Sequence, residues 1–116
     1  MRFRLFRRQR IRSENDFRLF RASRSRERGA GFLLVRKHND DRHCLPRVAL
    51  VASRKIGNAV RRNHLRRVFR EEFRHRAVDI SRGEDFLVVF LAQSKTLDPW
   101  TMGKDFADRL RRQGKR

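Results

Sequence analysis

Apolar positions along the chain arrive in short runs that change period. Ser13 followed by Glu14, Asn15 and Asp16 predicts a helix start, because a Ser side chain caps the first amides and acids suit the positive end of the helix dipole. Phe17, Leu19 and Phe20 then give a short helix its apolar side, ending before Gly29. Residues 32–35, FLLV, form a compact apolar run and predict a strand. The polar stretch 36–45, RKHNDDRHCL, predicts a loop. After Pro46 comes RVALVAS, whose length and β-branching suit a buried second strand. Gly57 and Asn58 break that pattern, and Asn58 is placed to cap a helix over residues 58–76. The helical stretch ends before a turn at 81–83, and Asp85 leads into FLVVFLA, the clearest strand pattern in the chain. Pro99 suits the first turn of a last helix carried by Trp100, Met102, Phe106 and Leu110, and the tail 111–116, RRQGKR, is expected to be loose.

The order helix, strands, helix, strand, helix predicts an α+β fold, a small two-layer sandwich with a mixed sheet of about four strands. There is no internal repeat and no Pro/Gly/Ser-rich linker, so a single domain over 1–116 is expected, with a basic arm at 1–12 and the tail at 111–116.

The helix at 58–76 separates its residues by chemistry. With Asn58 at zero and ~100° per residue, Leu65, Val68, Phe69 and Phe73 fall within an arc of roughly 140° that can face a sheet. Asn63, Arg66, Arg67, Arg70 and Arg74 fall together in an adjacent arc of about 100°. Glu71 and Glu72 are expected on the far side, leaving this ridge purely cationic. Solvated helix faces usually mix signs, as i,i+4 pairing rewards; this one does not, which favours a binding surface. Five phosphate contacts would give a salt slope of about −4 to −5, at ~0.9 per contact. Arg61, Arg62 and the backbone amides near Asn58 add positive charge at the amino end, where phosphate is welcome.

Composition supports an anionic partner. The 116 residues carry 32 Lys and Arg against 13 Asp and Glu, a formal net charge of +19. Self-repulsion at that charge calls for a compensating partner, and nucleic acid is the commonest. The cations are mostly Arg, whose planar guanidinium forks onto phosphate and stacks on bases. An anionic membrane surface would also serve, but no apolar run reaches the ~18 residues of a membrane span, which excludes an integral membrane protein; nucleic acid rather than membrane is the expected partner. The single cysteine, Cys44, excludes an intramolecular disulfide and suits a reducing cytoplasm. The first ten residues, MRFRLFRRQR, read as a basic arm that settles on nucleic acid.

The stretch 53–71, SRKIGNAVRRNHLRRVFRE, resembles the signature of the bacterial ribonuclease P protein component. That family's pattern is a strand ending in a basic pair, a Gly-Asn-Ala-Val-like turn, Arg-Asn-Arg, a Lys/Arg-Arg pair and Arg-Glu. Arg54, Lys55, Gly57, Asn58, Ala59, Val60, Arg62, Asn63, Arg66, Arg67, Arg70 and Glu71 match it. His64 stands where the pattern has its third residue, an Arg. The family also places two first-helix aromatics four apart, whereas Phe17 and Phe20 are three apart.

The resemblance implies a protein subunit whose RNA partner performs magnesium-dependent removal of the 5′ leader from precursor tRNA. It implies RNA-subunit contacts at Arg54, Lys55, Asn58, Arg61, Arg62, Asn63, His64, Arg66, Arg67 and Arg70. A cleft for the single-stranded leader would involve Phe17, Phe20, Phe32, Val51 and Ser53. It also implies a left-handed strand–helix–strand crossover around the Arg-rich helix, and a monomer, one copy per RNA subunit. Stacking platforms and a basic groove are what sequence-tolerant binding of a single strand requires. Strand alternation puts Ala49, Val51 and Ser53 on one side and Val48, Leu50 and Ala52 on the other.

Other chemistry is sparse. His38, Asp40, Asp41, His43 and Cys44 crowd one loop, but their spacing matches no zinc pattern, so no metal or cofactor held by the protein is expected. Glu84 and Asp85 are adjacent on a strand and should point to opposite sides, against a two-metal nuclease site. No nucleophile–base pair stands out. The rival readings are a non-catalytic RNA-binding protein of ribosomal type and a DNA-binding architectural protein.

Overall fold

The computed structural model describes residues 25–38, 45–80 and 83–114. The basic arm and the first helix expected around Phe17 and Phe20 lie outside them. Four strands form one sheet: β1 (Ser25–Gly29), β2 (Phe32–His38), β3 (Arg47–Val51) and β4 (Glu84–Phe90), in the order β1-β2-β4-β3. β1 and β2 make an antiparallel hairpin across Ala30 and Gly31, with Gly29 opposite Phe32. β4 lies antiparallel to β2, from Phe32↔Phe90 to His38↔Glu84, and parallel to β3, from Arg47↔Asp85 to Val51↔Val89. Parallel neighbours need a long crossover connection, and helix α1 (Ala59–Arg76) supplies it. Helix α2 (Pro99–Gly114) follows β4. The sheet is mixed and the fold α+β, as the order of apolar runs implies.

β1 is a correction. Residues 25–28 fall in the stretch expected to be helical before Gly29, yet SRERG is a strand. It is an edge strand whose side chains are mostly exposed, so it has no apolar alternation to betray it; its partner's main chain supplies the pairing. β2 also runs three residues past the apolar run, through Arg36, Lys37 and His38. Those residues are held by the two carboxylates opposite them. Glu84 faces Arg36 at 3.4 Å and His38 Nδ1 at 3.0 Å. Asp85, fully buried, accepts from Arg47 Nε and Nη2 at 2.9 and 2.7 Å and from Lys37 Nζ at 3.4 Å. The two acids do point to opposite sides of the sheet. α2 likewise continues through Gly114, taking in the first four residues of the tail expected to be loose from 111.

The main core lies between the sheet and both helices. Phe32, Leu34, Val48, Phe86, Val88 and Phe90 from the strands meet Leu65, Val68, Phe69 and Phe73 of α1 and Met102, Phe106 and Leu110 of α2. Phe69 is its hub, edge-on to Phe32 at 5.2 Å and Phe90 at 4.7 Å and stacked on Phe106 at 4.7 Å. Such ring pairs add about 0.5–1.5 kcal/mol each beyond the area they bury. Gly103 lets the helices close up: a Cβ there would sit 2.7 Å from Val68 Cγ1. The contacts His64–Trp100 and Phe69–Phe106 advance together along both helices, so the two amino ends lie at one end of the molecule.

The edge hairpin is tied to α2 by charge. Asp105 accepts from the amide of Ala30 at 2.8 Å and from Arg109 Nε at 3.1 Å, while Arg109 Nη1 also donates to Glu27 of β1. Burial opposes the Arg109 charge, but the hydrogen bond and charge of Asp105, joined by Glu27, outweigh it and hold the group above its ordinary value. The outer sheet face carries a second, smaller apolar cluster of Val35, Ala49 and Leu87, flanked by Leu33 and Val89.

Candidate nucleic-acid interface

β3 delivers the chain to a single 3-10 turn, Arg54–Ile56, where Ile56 is buried and pins the turn while Arg54 and Lys55 stay exposed. Gly57 then adopts φ 146°, a left-handed conformation that side chains resist. A Cβ there would also lie 2.8 Å from Arg61 Cγ. Asn58 is extended, and its Oδ1 accepts from the Arg61 amide at 2.9 Å, the helix cap expected of it. One of the amino-end amides available to phosphate is therefore already taken by the cap.

Leu65, Val68, Phe69 and Phe73 are all buried, so the apolar arc of α1 faces the sheet as its period requires. On the adjacent flank Asn63 and Arg67 are exposed, and Arg66, Arg70 and Arg74 are half-buried. Arg66 is fixed there by two contacts at 3.3 Å, from Nη1 to Asn63 Oδ1 and from Nη2 to the carbonyl of Ala52 just past β3. The strip thus runs up to the end of β3, beside Ser53, Arg54 and Lys55. Arg62 is half-buried and His64 is exposed.

Three residues depart from expectation. Glu71 does not leave the strip purely cationic: it pairs with Arg74, three residues on, and faces His75 at 3.8 Å. At 100° per residue Glu71 is only about 60° from Arg74, close enough to reach it. Arg61 turns away from the strip. Its Nη2 donates to the carbonyls of Ser94 and Leu97, so its guanidinium holds the segment between β4 and α2 to the start of α1. Phe32 is no stacking platform. It is fully buried in the main core, against Phe69 and Phe106, on the sheet face opposite the one that carries Val51.

Of the other cleft residues, Val51 is 37% exposed and Ser53 is exposed beyond it, while Ala52 between them is buried in the main core. The alternation of β3 is as its sequence implies. Phe17 and Phe20 lie outside the described residues, as do Asp40, Asp41, His43 and Cys44 of the loop cluster. Among the described residues no group of three or more His, Cys, Asp or Glu is placed to hold a metal ion. Among them, too, no helix is long and apolar enough to cross a membrane.

Trp100 was expected on the apolar side of α2, yet it is 58% exposed. The helical period carried the warning, since position 100 falls roughly 80° or more from Met102, Phe106 and Leu110. Its indole stands across from His64, with ring centres 6.3 Å apart and planes at 77°.

The family model for ribonuclease P matches residues 5–113. The ribonuclease P protein component of Thermotoga maritima is 33% identical over 111 residues, covering 91% of this chain and 92% of that protein. The one from Coxiella burnetii is 40% identical over 90 residues, covering 77% and 72%. Among solved structures, the RNase P protein from Thermotoga maritima superposes with a TM-score of 0.75 at 29% identity, over 90% of this chain and 97% of that one. The Staphylococcus aureus RNase P protein shares the fold with a TM-score of 0.76 at 23% identity, covering 86% and 90%. With the motif at 53–71, the match along nearly the whole chain and the mixed sheet crossed by an arginine-lined helix, the chain belongs to the ribonuclease P protein family.

Proposed function

We propose that this chain is the protein subunit of a bacterial ribonuclease P, working in the cytoplasm as one monomer on one RNA subunit. The observation that carries the proposal is the strip of Asn63, Arg66, Arg67 and Arg70 along one flank of α1, continuous with the exposed Arg54 and Lys55. Guanidinium groups spaced along a rigid helix match phosphates spaced along folded RNA, and each neutralised phosphate releases a counterion. Asn58, Arg62 and His64 border the strip at its amino end. In keeping with what the family resemblance implies, the RNA subunit, with Mg2+, performs the hydrolysis that frees the 5′ leader of precursor tRNA; a sequence in which no nucleophile–base pair stands out is compatible with that division of labour. The protein's share is to dock on that RNA and to hold the leader along the outer sheet face, past Val51 and Ser53, with Phe17 and Phe20 as stacking groups.

The test is reconstitution. The purified chain alone should leave precursor tRNA intact. Mixed with a ribonuclease P RNA, it should lower the magnesium concentration at which the leader is released. A chain that binds structured RNA tightly yet leaves the magnesium requirement unchanged would instead be an RNA-binding protein of ribosomal type, and one that prefers duplex DNA at equal salt would be architectural.

A further inference from the structure

We infer that Trp100 and His64 form a stacking platform for an unpaired nucleobase of the RNA subunit, at the amino ends of the two helices and beside the cationic strip. The inference rests on the reading that α1 docks on ribonuclease P RNA.

A tryptophan 58% exposed on a folded surface is a large apolar area left in water. It is not there through looseness. Pro99 occupies the first turn of α2, and Asp98 Oδ2 accepts both the amide and the hydroxyl of Thr101 at 3.0 Å, so the backbone carrying the indole is fixed. The near-perpendicular His64 ring, 6.3 Å away, makes a corner. A base lying on the indole would present its edge to the imidazole, which has an N–H to donate in either tautomer. Val60, 77% exposed, lies one turn before His64 on the same flank of α1 and extends the apolar floor.

The surroundings decide what fits. Arg67, one turn beyond His64, and Lys104, one turn beyond Trp100, are both exposed. Of the acids nearby, Asp98 caps α2 and Glu71 pairs with Arg74, while Glu72 lies further along α1, half-buried between the helices beside Gly103. A protein partner would need about 800 Å² of contact per side, yet the exposed large hydrophobics among the described residues are Val51, Val60 and Trp100 alone. A second copy would bring another formal charge of +19. A flat ring with a cationic border suits a nucleotide, whose base stacks on an aromatic face whatever its identity while its phosphates meet Arg or Lys.

Trp100 is the sole tryptophan of the chain, so its emission reports on this site alone. Titrating the full chain with ribonuclease P RNA, with binding followed independently by filter retention, should quench that emission and shield it from iodide in step with saturation. Trp100→Ala should weaken RNA-subunit binding roughly 5- to 150-fold, with the dependence on salt unchanged because no phosphate contact is lost. Trp100→Phe, which keeps a ring, should recover most of that loss. Emission unchanged while RNA saturates the chain would overturn the platform and leave the arginine strip as the docking surface. So would an emission change that grows with protein concentration in the absence of RNA, which would mark a contact between copies. A chain that binds no ribonuclease P RNA at all would remove the reading beneath the inference, and the inference with it.

Discussion

The guanidinium of Arg66 donates to the backbone carbonyl of Ala52 at 3.3 Å, joining the cationic flank of α1 to the end of β3. Arg66 therefore has a part in the scaffold as well as in the proposed interface, whereas the exposed Arg67 next to it has only the latter. Arg67→Ala should reduce the salt slope of RNA-subunit binding by about 0.9 and leave the unfolding midpoint where it was. Arg66→Ala should flatten the slope equally and also cost about 0.5–1.5 kcal/mol of stability for the lost hydrogen bond. Affinity measured across a salt series, with denaturant unfolding in parallel, separates the two. Wild-type slopes in both variants would exclude this flank as the docking surface.

Gly57 is the point at which the chain turns from the 3-10 turn into α1. An alanine there must hold φ 146° and place its Cβ against Arg61. Arg61 cannot swing aside freely, because its guanidinium is bound to the carbonyls of Ser94 and Leu97. Gly57→Ala should lose about 1–3 kcal/mol, read by denaturant unfolding. An alanine variant as stable as the parent would mean that the turn relaxes at no cost.

Gly103 and Val68 share one tight spot between the helices. Gly103→Ala puts a methyl 2.7 Å from Val68 Cγ1, and overpacking of this kind costs about 1–3 kcal/mol. Val68→Ala alone opens a cavity in the core. Together the two changes should be less damaging than their sum, since the methyl moves into the space that the valine vacates. A double-mutant cycle measures that coupling, and strict additivity would argue that the helices simply slide apart.

Much of this was legible in the chain. The apolar period of α1, its Asn58 cap, the alternation of β3 and the run in β4 all follow from local patterns, and local patterns are what a sequence displays. The parts that escaped depend on partners distant in sequence. β1 has no apolar face of its own and exists because β2 offers it a main chain and because Arg109, 82 residues from Glu27, draws it to α2. The last residues of β2 look like loop until Asp85 and Glu84 stand opposite them. Arg61 and Arg66 lie about 140° apart on the helical wheel, Arg61 inside the apolar arc and Arg66 at the edge of the cationic one, so the turn of Arg61 away from the ridge was legible. Its partners, the carbonyls of Ser94 and Leu97, were not, because no single-helix projection contains them.

Val51 offers the cleanest probe of the outer face. It is an edge-strand residue, 37% exposed, whose side chain leaves the main core to Val48 and Ala52 on the other side, so a change there should cost little stability. Val51→Asp would set a carboxylate in the path proposed for the leader. A like charge about 4 Å from a phosphate costs about 1 kcal/mol where water screens it and more where it does not. Precursor tRNA with its leader should then bind the holoenzyme roughly fivefold or more weakly, while mature tRNA, which has no leader, should bind as before. Phe17→Ala should show the same selectivity through lost stacking. Equal losses for precursor and mature tRNA would mean that the leader runs elsewhere and that the outer face serves only to close the fold.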